Sequence, residues 1–324
     1  MTVEPAGKPQ RLVFGETLVE LGAENERIVV LDCDVSSSTQ TKHFGARFPE
    51  RFFNLGICEA NMVSVAAGFA TCGFIPFAST FALFLAMRTG DQVRAQVAYP
   101  GLNVKLAGGY AGLSDFADGA SHQSVEDIAV MRAVPNMTVI CPSDITETRM
   151  AMRAAVEHEG PVFLRVSREA VTEDYGPDHP FAIGKAVTLR DGADVTLVAT
   201  GTMVARARDA ADRLADEGVF ARIVDMHTVK PLDRESIERA AAETGAIVTV
   251  EEHTVHGGLG AAVCEVVCET CPVPVVRVGI PDRFGETGPY EEILARAGLT
   301  VERITGAARR AMDLRERKRG VKIL

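Results

Sequence analysis

A lone carboxylate, Glu59, opens a segment that is otherwise small and mostly apolar, Asn54-Leu-Gly-Ile-Cys-Glu-Ala-Asn-Met-Val-Ser-Val-Ala-Ala-Gly-Phe-Ala. A carboxyl group desolvated by such neighbours keeps part of its proton near neutral pH, which suits it to proton transfer. The same position reads equally as a helix-dipole partner, because helix polarity favours an acid in the first turn. A second constellation is Asp118-Gly-Ala-Ser-His122-Gln, a polar loop between a strand and a helix. Loops at the carboxyl ends of parallel strands gather catalytic groups, although a helix-capping turn has the same appearance. Phe81 and Phe84, three apart, form a core pattern on spacing alone. Three weaker signals carry less. His253-x-x-His256 lacks a third metal ligand at a suitable spacing. Gly257-Gly-Leu-Gly260 resembles a dinucleotide loop but has Val263 where the last glycine belongs. Cys264, Cys268 and Cys271 read as small buried residues on a helix face.

The elements that position these groups follow from periodicity. A helix near Leu12–Ala23 precedes a β-branched strand, Ile28–Leu31; a helix follows at Glu59–Thr71, a strand at Ile75–Ala78 and a helix at Phe81–Val97. Strands come next near Asn103–Ala107 and Thr138–Ile140, then a helix capped by Ser143 and running to His158, then a strand at Pro161–Val166. Thr172–Pro180 breaks the pattern, and alternation restarts with strands at Val195–Ala199, Ala221–Asp225, Ile247–Val250 and Val275–Val278. Near-continuous apolar strands separated by helices imply an α/β fold of two domains, each a mostly parallel sheet covered by helices. The expected division is a first domain over 1–175, a linker over 176–188 and a second domain over 189–324.

In these segments the chain resembles the transketolases. The Glu59 segment, Ser79-Thr-Phe-Ala-Leu-Phe84, the block Asp118 to Gln123 and the stretch Pro135-Asn-Met-Thr-Val-Ile-Cys-Pro-Ser-Asp stand in the order of that family's pyrimidine-binding domain. Val198-Ala-Thr-Gly201, Glu251 to Gly260 and Asp282-Arg-Phe-Gly285 are similar to its C-terminal domain. The resemblance implies thiamine diphosphate as cofactor, with Glu59 controlling the tautomer of its aminopyrimidine, Phe84 stacking on that ring and Phe81 lying beside it. Ile57, Cys58, Ala60 and Met62 are expected to supply the apolar cradle. It also implies Asp118 and His122 on the ketose hydroxyls, Arg168 on a substrate phosphate, and Arg11 and Ser38 as further phosphate contacts. An arginine suits that task because its planar fork is permanently charged. Tyr110 stands where the family usually has a phosphate-binding His, and Met87 where it usually has a Tyr near the cofactor.

The family's Gly-Asp-Gly…Asn segment, which holds the diphosphate and a divalent metal, is absent; Asp118-Gly119 and Asp191-Gly192 lack its context. No metal ligand is therefore assigned to this chain, and Mg2+ or a similar ion is expected mainly on a partner. Because the sequence starts at the pyrimidine-binding domain, the diphosphate domain is expected on an N-terminal transketolase subunit, in an α2β2 assembly. The implied activity is transfer of a two-carbon ketol unit from a ketose phosphate to an aldose phosphate. Two rivals share the layout: the β subunit of a 2-oxo acid dehydrogenase-type enzyme, and a non-catalytic assembly subunit.

Composition narrows the partners. With 34 Lys plus Arg against 44 Asp plus Glu, the net charge of −10 disfavours nucleic acid and acidic membranes. Met1–Gln10 has no signal-peptide pattern, Met62–Met87 is too interrupted for a membrane span, and seven cysteines without disulfide spacing fit a cytoplasmic protein. The basic run Arg315–Lys322 reads as a solvated end.

Overall fold

The chain was described with a computed structural model covering residues 7–173 and 175–320. Residues 1–6, part of the stretch read for a signal, residue 174, within the pattern break at 172–180, and 321–324, which include the end of the basic run, lie outside the described residues. The strands, in chain order, are β1 (Lys8–Pro9), β2 (Ile28–Asp32), β3 (Phe52–Asn54), β4 (Ile75–Phe81), β5 (Lys105–Gly109), β6 (Thr138–Ile140), β7 (Val162–Arg165), β8 (Ala170–Val171), β9 (Val187–Arg190), β10 (Val195–Ala199), β11 (Ala221–Asp225), β12 (Thr228–Lys230), β13 (Ile247–Thr254) and β14 (Val275–Ile280). Seven of them form one sheet in the order β12-β6-β7-β5-β4-β2-β3, and five form a second in the order β14-β13-β10-β11-β9. Both are α/β sheets, parallel except for the antiparallel edge strands β12 and β9.

β2, β4, β5 and β7 are buried along their whole length. Strands buried on both faces need cover on both, which flanking helices supply. Phe14 and Leu18 of helix Gln10–Glu24 and Met152 of helix Ile145–Glu157 close one face of the first sheet. The other face does not close on the first half alone. Leu31, Ala78 and Leu106 share a core with Val224, Met226, Leu259 and Val263 from the second half. β12 itself crosses over, pairing Thr228 with Ile140 of β6. The two halves are thus joined through backbone as well as through packing.

Several expectations are corrected. β4 continues through Phe81, which pairs with Gly109 of β5, so Phe81 ends a strand instead of starting a helix. The sheet ladder prevails over local helix propensity there. The expected helix is split into π-helical turns at Phe84–Arg88 and Val93–Ala98 around Gly90–Gln92. The helix after β6 is capped by Asp144, which accepts from the Glu147 amide, and not by Ser143. Arg315 is not a free solvated group, since it donates to the carbonyls of Asp194 and Thr244. Cys268 is exposed and Cys264 and Cys271 are half-buried, so they are not core residues. Among the described residues no helix is long and apolar enough to cross a membrane.

Candidate active site

Parallel register puts the carboxyl ends of β2, β4, β5 and β7 along one edge, where Ser38, Phe81, Tyr110 and Arg168 follow or end their strands. Helix Glu59–Thr71, which follows β3, starts on the same edge. Its N-cap, Cys58, makes no side-chain cap, and Glu59 occupies the first turn. The Glu59 carboxylate is 3% exposed. Its Oε1 accepts from Nη1 of Arg88 at 2.7 Å. The same guanidinium lies over the Phe84 ring, 4.1 Å from the centroid. The expected apolar cradle is only partly present: Met62 is buried, while Ile57 is 78% exposed and stands away from any cover in this chain.

Beyond Phe84 the contacts run on as a chain. His122 meets Phe84 and Phe81 edge-on, at centroid distances of 5.4 and 5.9 Å. Phe81 lies against Tyr110 at 4.6 Å. Arg11 donates to the Tyr110 hydroxyl at 2.6 Å and to the Ser38 carbonyl at 3.1 Å, leaving the phenolic hydrogen available to a ligand. Tyr110 holds φ at +57°, an uncommon backbone state for a bulky residue. Arg168 lies over the rings of Tyr110 and Phe116 and places Nη1 3.5 Å from Asp115 Oδ1. Burial, reinforced by the charge of Asp118, pushes Asp115 up to about 6, against the pull of His122 and Arg168.

Glu59, Phe81, Phe84, His122, Tyr110, Arg11, Ser38 and Arg168 therefore share one continuous surface, with Asp118 joined to it through Asp115. Arg88 and Asp115 were not anticipated. The trace of Arg88 was a cation four residues after Phe84, a spacing at which helical side chains meet. Asp115, three residues before Asp118, gave no signal.

The second half braces the polar loop. Gln123 donates to the Glu286 carbonyl at 2.9 Å, and a Cβ on Gly285 would come within 1.9 Å of Gln123 Oε1. Arg165, in a buried ion pair with Asp127 at 2.8 Å, also donates to the Glu252 carbonyl across the halves. The weaker motifs are absorbed structurally. Glu251 accepts from the amides of Leu259 and Gly260, so the glycine-rich helix start already holds a carboxyl group. His253 is buried, with Nε2 accepting from the Ala129 amide and Nδ1 donating to the Thr254 carbonyl. No cluster of three or more metal-ligating side chains occurs among the described residues. A separate cavity of about 640 Å3, lined in part by Arg132, Lys230, Arg234 and Glu265, shares none of the site residues.

This α/β chain, with a buried carboxylate and a run of contacting aromatics on one strand edge, matches the sequence patterns of two domains: the transketolase pyrimidine-binding domain over residues 8–173 and the transketolase C-terminal domain over residues 184–304. The chain belongs to the transketolase family. It is 46% identical over 309 residues to a transketolase C-terminal section of Methanocaldococcus jannaschii, covering 94% of this chain and 96% of that one. It is 42% identical over 308 residues to a 6-deoxy-6-sulfo-D-fructose transketolase subunit of a Clostridium species, covering 95% of each. Among solved structures it is similar to a split-gene transketolase described as an inactive β4 tetramer, with a TM-score of 0.90, 50% identity, and coverage of 95% of this chain and 100% of that one.

The family depends on thiamine diphosphate, and the residues present fit its aminopyrimidine. A flat nitrogen-bearing group, the Arg88 guanidinium, already lies over Phe84 while donating to Glu59. The site therefore accepts a planar hydrogen-bonding group of that kind.

Proposed function

We propose that this chain is the C-terminal subunit of a two-chain transketolase, moving a two-carbon ketol unit from a ketose with an anionic end to an aldose acceptor. The observation that carries the reading is the meeting of a buried Glu59 carboxylate and the Phe84 ring at one planar group. When bound, thiamine diphosphate supplies the reactive ring carbon. Glu59 holds a proton at the pyrimidine nitrogen, and Phe81 and Phe84 orient the ring. His122 and Asp118 bind the ketose hydroxyls and assist proton movement as its carbon–carbon bond breaks. Arg168, Arg11, Tyr110 and Ser38 receive the anionic end. The named relative acts on a sulfonated sugar, so phosphate and sulfonate are both within the class.

The diphosphate and Mg2+ are held mainly by an N-terminal partner subunit, the two chains forming α2β2 with Glu59 facing the partner. Support comes from the exposed Ile57, two residues before Glu59, and Met87, next to Arg88, 78% and 58% exposed, which are apolar surface awaiting cover. The similar split-gene chain is described as inactive when it forms a β4 tetramer. The division at 1–175, 176–188 and 189–324 remains the proposed domain layout, and the cytoplasm the proposed compartment, where seven free cysteines stay reduced.

The test is reconstitution with a diphosphate-binding partner. The chain alone should lack activity and bind thiamine diphosphate weakly, and the mixture should gain both functions at a mass near two copies of each chain. Tight magnesium-dependent binding by the chain alone, measured by calorimetry, contradicts the reading.

A further inference from the structure

We propose that Arg88 is a place-holder for the cofactor's aminopyrimidine, closing the half-site until the cofactor displaces it; this rests on reading Glu59 and Phe84 as the pyrimidine site. The guanidinium is planar, carries N–H donors on its edge, and makes two contacts at once: 2.7 Å to Glu59 Oε1 and 4.1 Å to the Phe84 centroid. An aminopyrimidine stacked on Phe84 and bonded to Glu59 needs the same face and the same carboxyl group. The two cannot be held together, so cofactor entry expels Arg88.

The structure supplies both a reason for the contact and a route out of it. Without Arg88, the buried Glu59 carboxylate would keep only the helix N-terminus as a counter-charge, a costly state in a half-site. The Arg88 side chain is 49% exposed and sits beside Met87, which is 58% exposed, so rotation toward solvent meets little packing. Arg88 is thus a positioning residue that keeps the site shaped and charge-balanced when empty.

The experiment compares wild type, Arg88→Met and Arg88→Lys in the complex with the diphosphate-binding subunit. Met fills the volume without donors or charge. Lys keeps the charge but has no flat face for Phe84. Calorimetry should show thiamine diphosphate binding about three- to tenfold tighter in Arg88→Met, the change expected on removing one partly exposed ion pair and its ring contact. Arg88→Lys should fall between Met and wild type, and it carries the test if the Met variant fails to assemble. Cofactor-free Arg88→Met should melt below wild type, and the cofactor-loaded complexes should melt together. Affinity that is unchanged or weaker in the variants overturns the proposal, since Arg88 would then be inert or a cofactor ligand. Glu59→Gln in parallel separates the two levels: if it binds cofactor and exchanges the thiazolium proton as wild type does, the pyrimidine-site reading itself fails, whatever Arg88 does.

Discussion

Arg168 Nη1 stands 3.5 Å from Asp115 Oδ1, and Asp115 is fully buried while the arginine is partly open. A cation proposed to receive an anionic substrate therefore begins with a carboxyl group beside it. That carboxyl is pushed up to about 6 by burial and by Asp118. Below that pH it is neutral and Arg168 offers its full charge; above it the charge is partly cancelled. KM for an anionic ketose should rise as pH passes upward through about 6. Asp115→Asn should lower KM about three- to tenfold at neutral pH, a gain of roughly 1 kcal/mol, and flatten that rise. Steady-state kinetics on the reconstituted enzyme from pH 5 to 8 checks both, and an unchanged KM profile removes Asp115 from substrate binding.

Glu59→Gln keeps shape and hydrogen-bonding reach but cannot deliver a proton to the pyrimidine nitrogen. Turnover should drop about 10²–10⁴-fold, the usual cost of losing a positioned acid or base. Proton–deuteron exchange at the thiazolium carbon of bound cofactor should slow in parallel. If Glu59 serves only the helix dipole, turnover stays near wild type and the melting curve alone shifts, by roughly 0.3–1 kcal/mol.

Glu147 makes a pH-dependent contribution to stability. It is fully buried, accepts from the Ser143 amide and hydroxyl, and is pushed up to about 8 by burial. The folded chain thus binds a proton at this position that the unfolded chain releases near its ordinary value of 4.5. Its stabilising effect is complete below that value and is lost as pH rises through about 8. Glu147→Gln keeps the acceptor for Ser143 and carries no titratable group. Denaturant melts between pH 5 and 9 should show a falling stability in wild type and a smaller fall in the variant; equal slopes would rule out Glu147 as the source.

The Gly285→Ala substitution tests whether the second half positions the polar loop. The added methyl would come within 1.9 Å of Gln123 Oε1 and 2.7 Å of Leu113 Cδ2, so Gln123 must turn away. It then loses its bond to the Glu286 carbonyl, and the loop bearing Asp118 and His122 loosens. Stability should fall by about 1–3 kcal/mol, as overpacking usually costs. KM for the ketose should rise while thiamine diphosphate affinity holds, because Glu59 and Phe84 lie outside that contact. A variant with wild-type KM would show that the loop stands without this brace.

What the sequence determined alone was set by local pattern. Buried parallel strands are mostly apolar and β-branched, so Thr138–Ile140, Val195–Ala199 and Ala221–Asp225 were legible to the residue, as was the helix Glu59–Thr71. The order of Glu59, Phe81, Phe84, Asp118, His122 and Arg168 along the chain was enough to indicate the family. Tertiary structure decided the rest, because each remaining feature depends on a partner far away in sequence. Phe81 is a strand residue only because β5 pairs with it. β12 is three residues long and becomes visible only as an added edge beside β6. Arg88 acquires a role when a π-helical turn lays it on Phe84 against Glu59, 29 residues earlier. Asp115 acquires one when β7 delivers Arg168 from 53 residues away. Periodicity records which face a residue turns to the core, whereas the charge that a side chain meets across a strand edge is fixed only when the sheets are assembled.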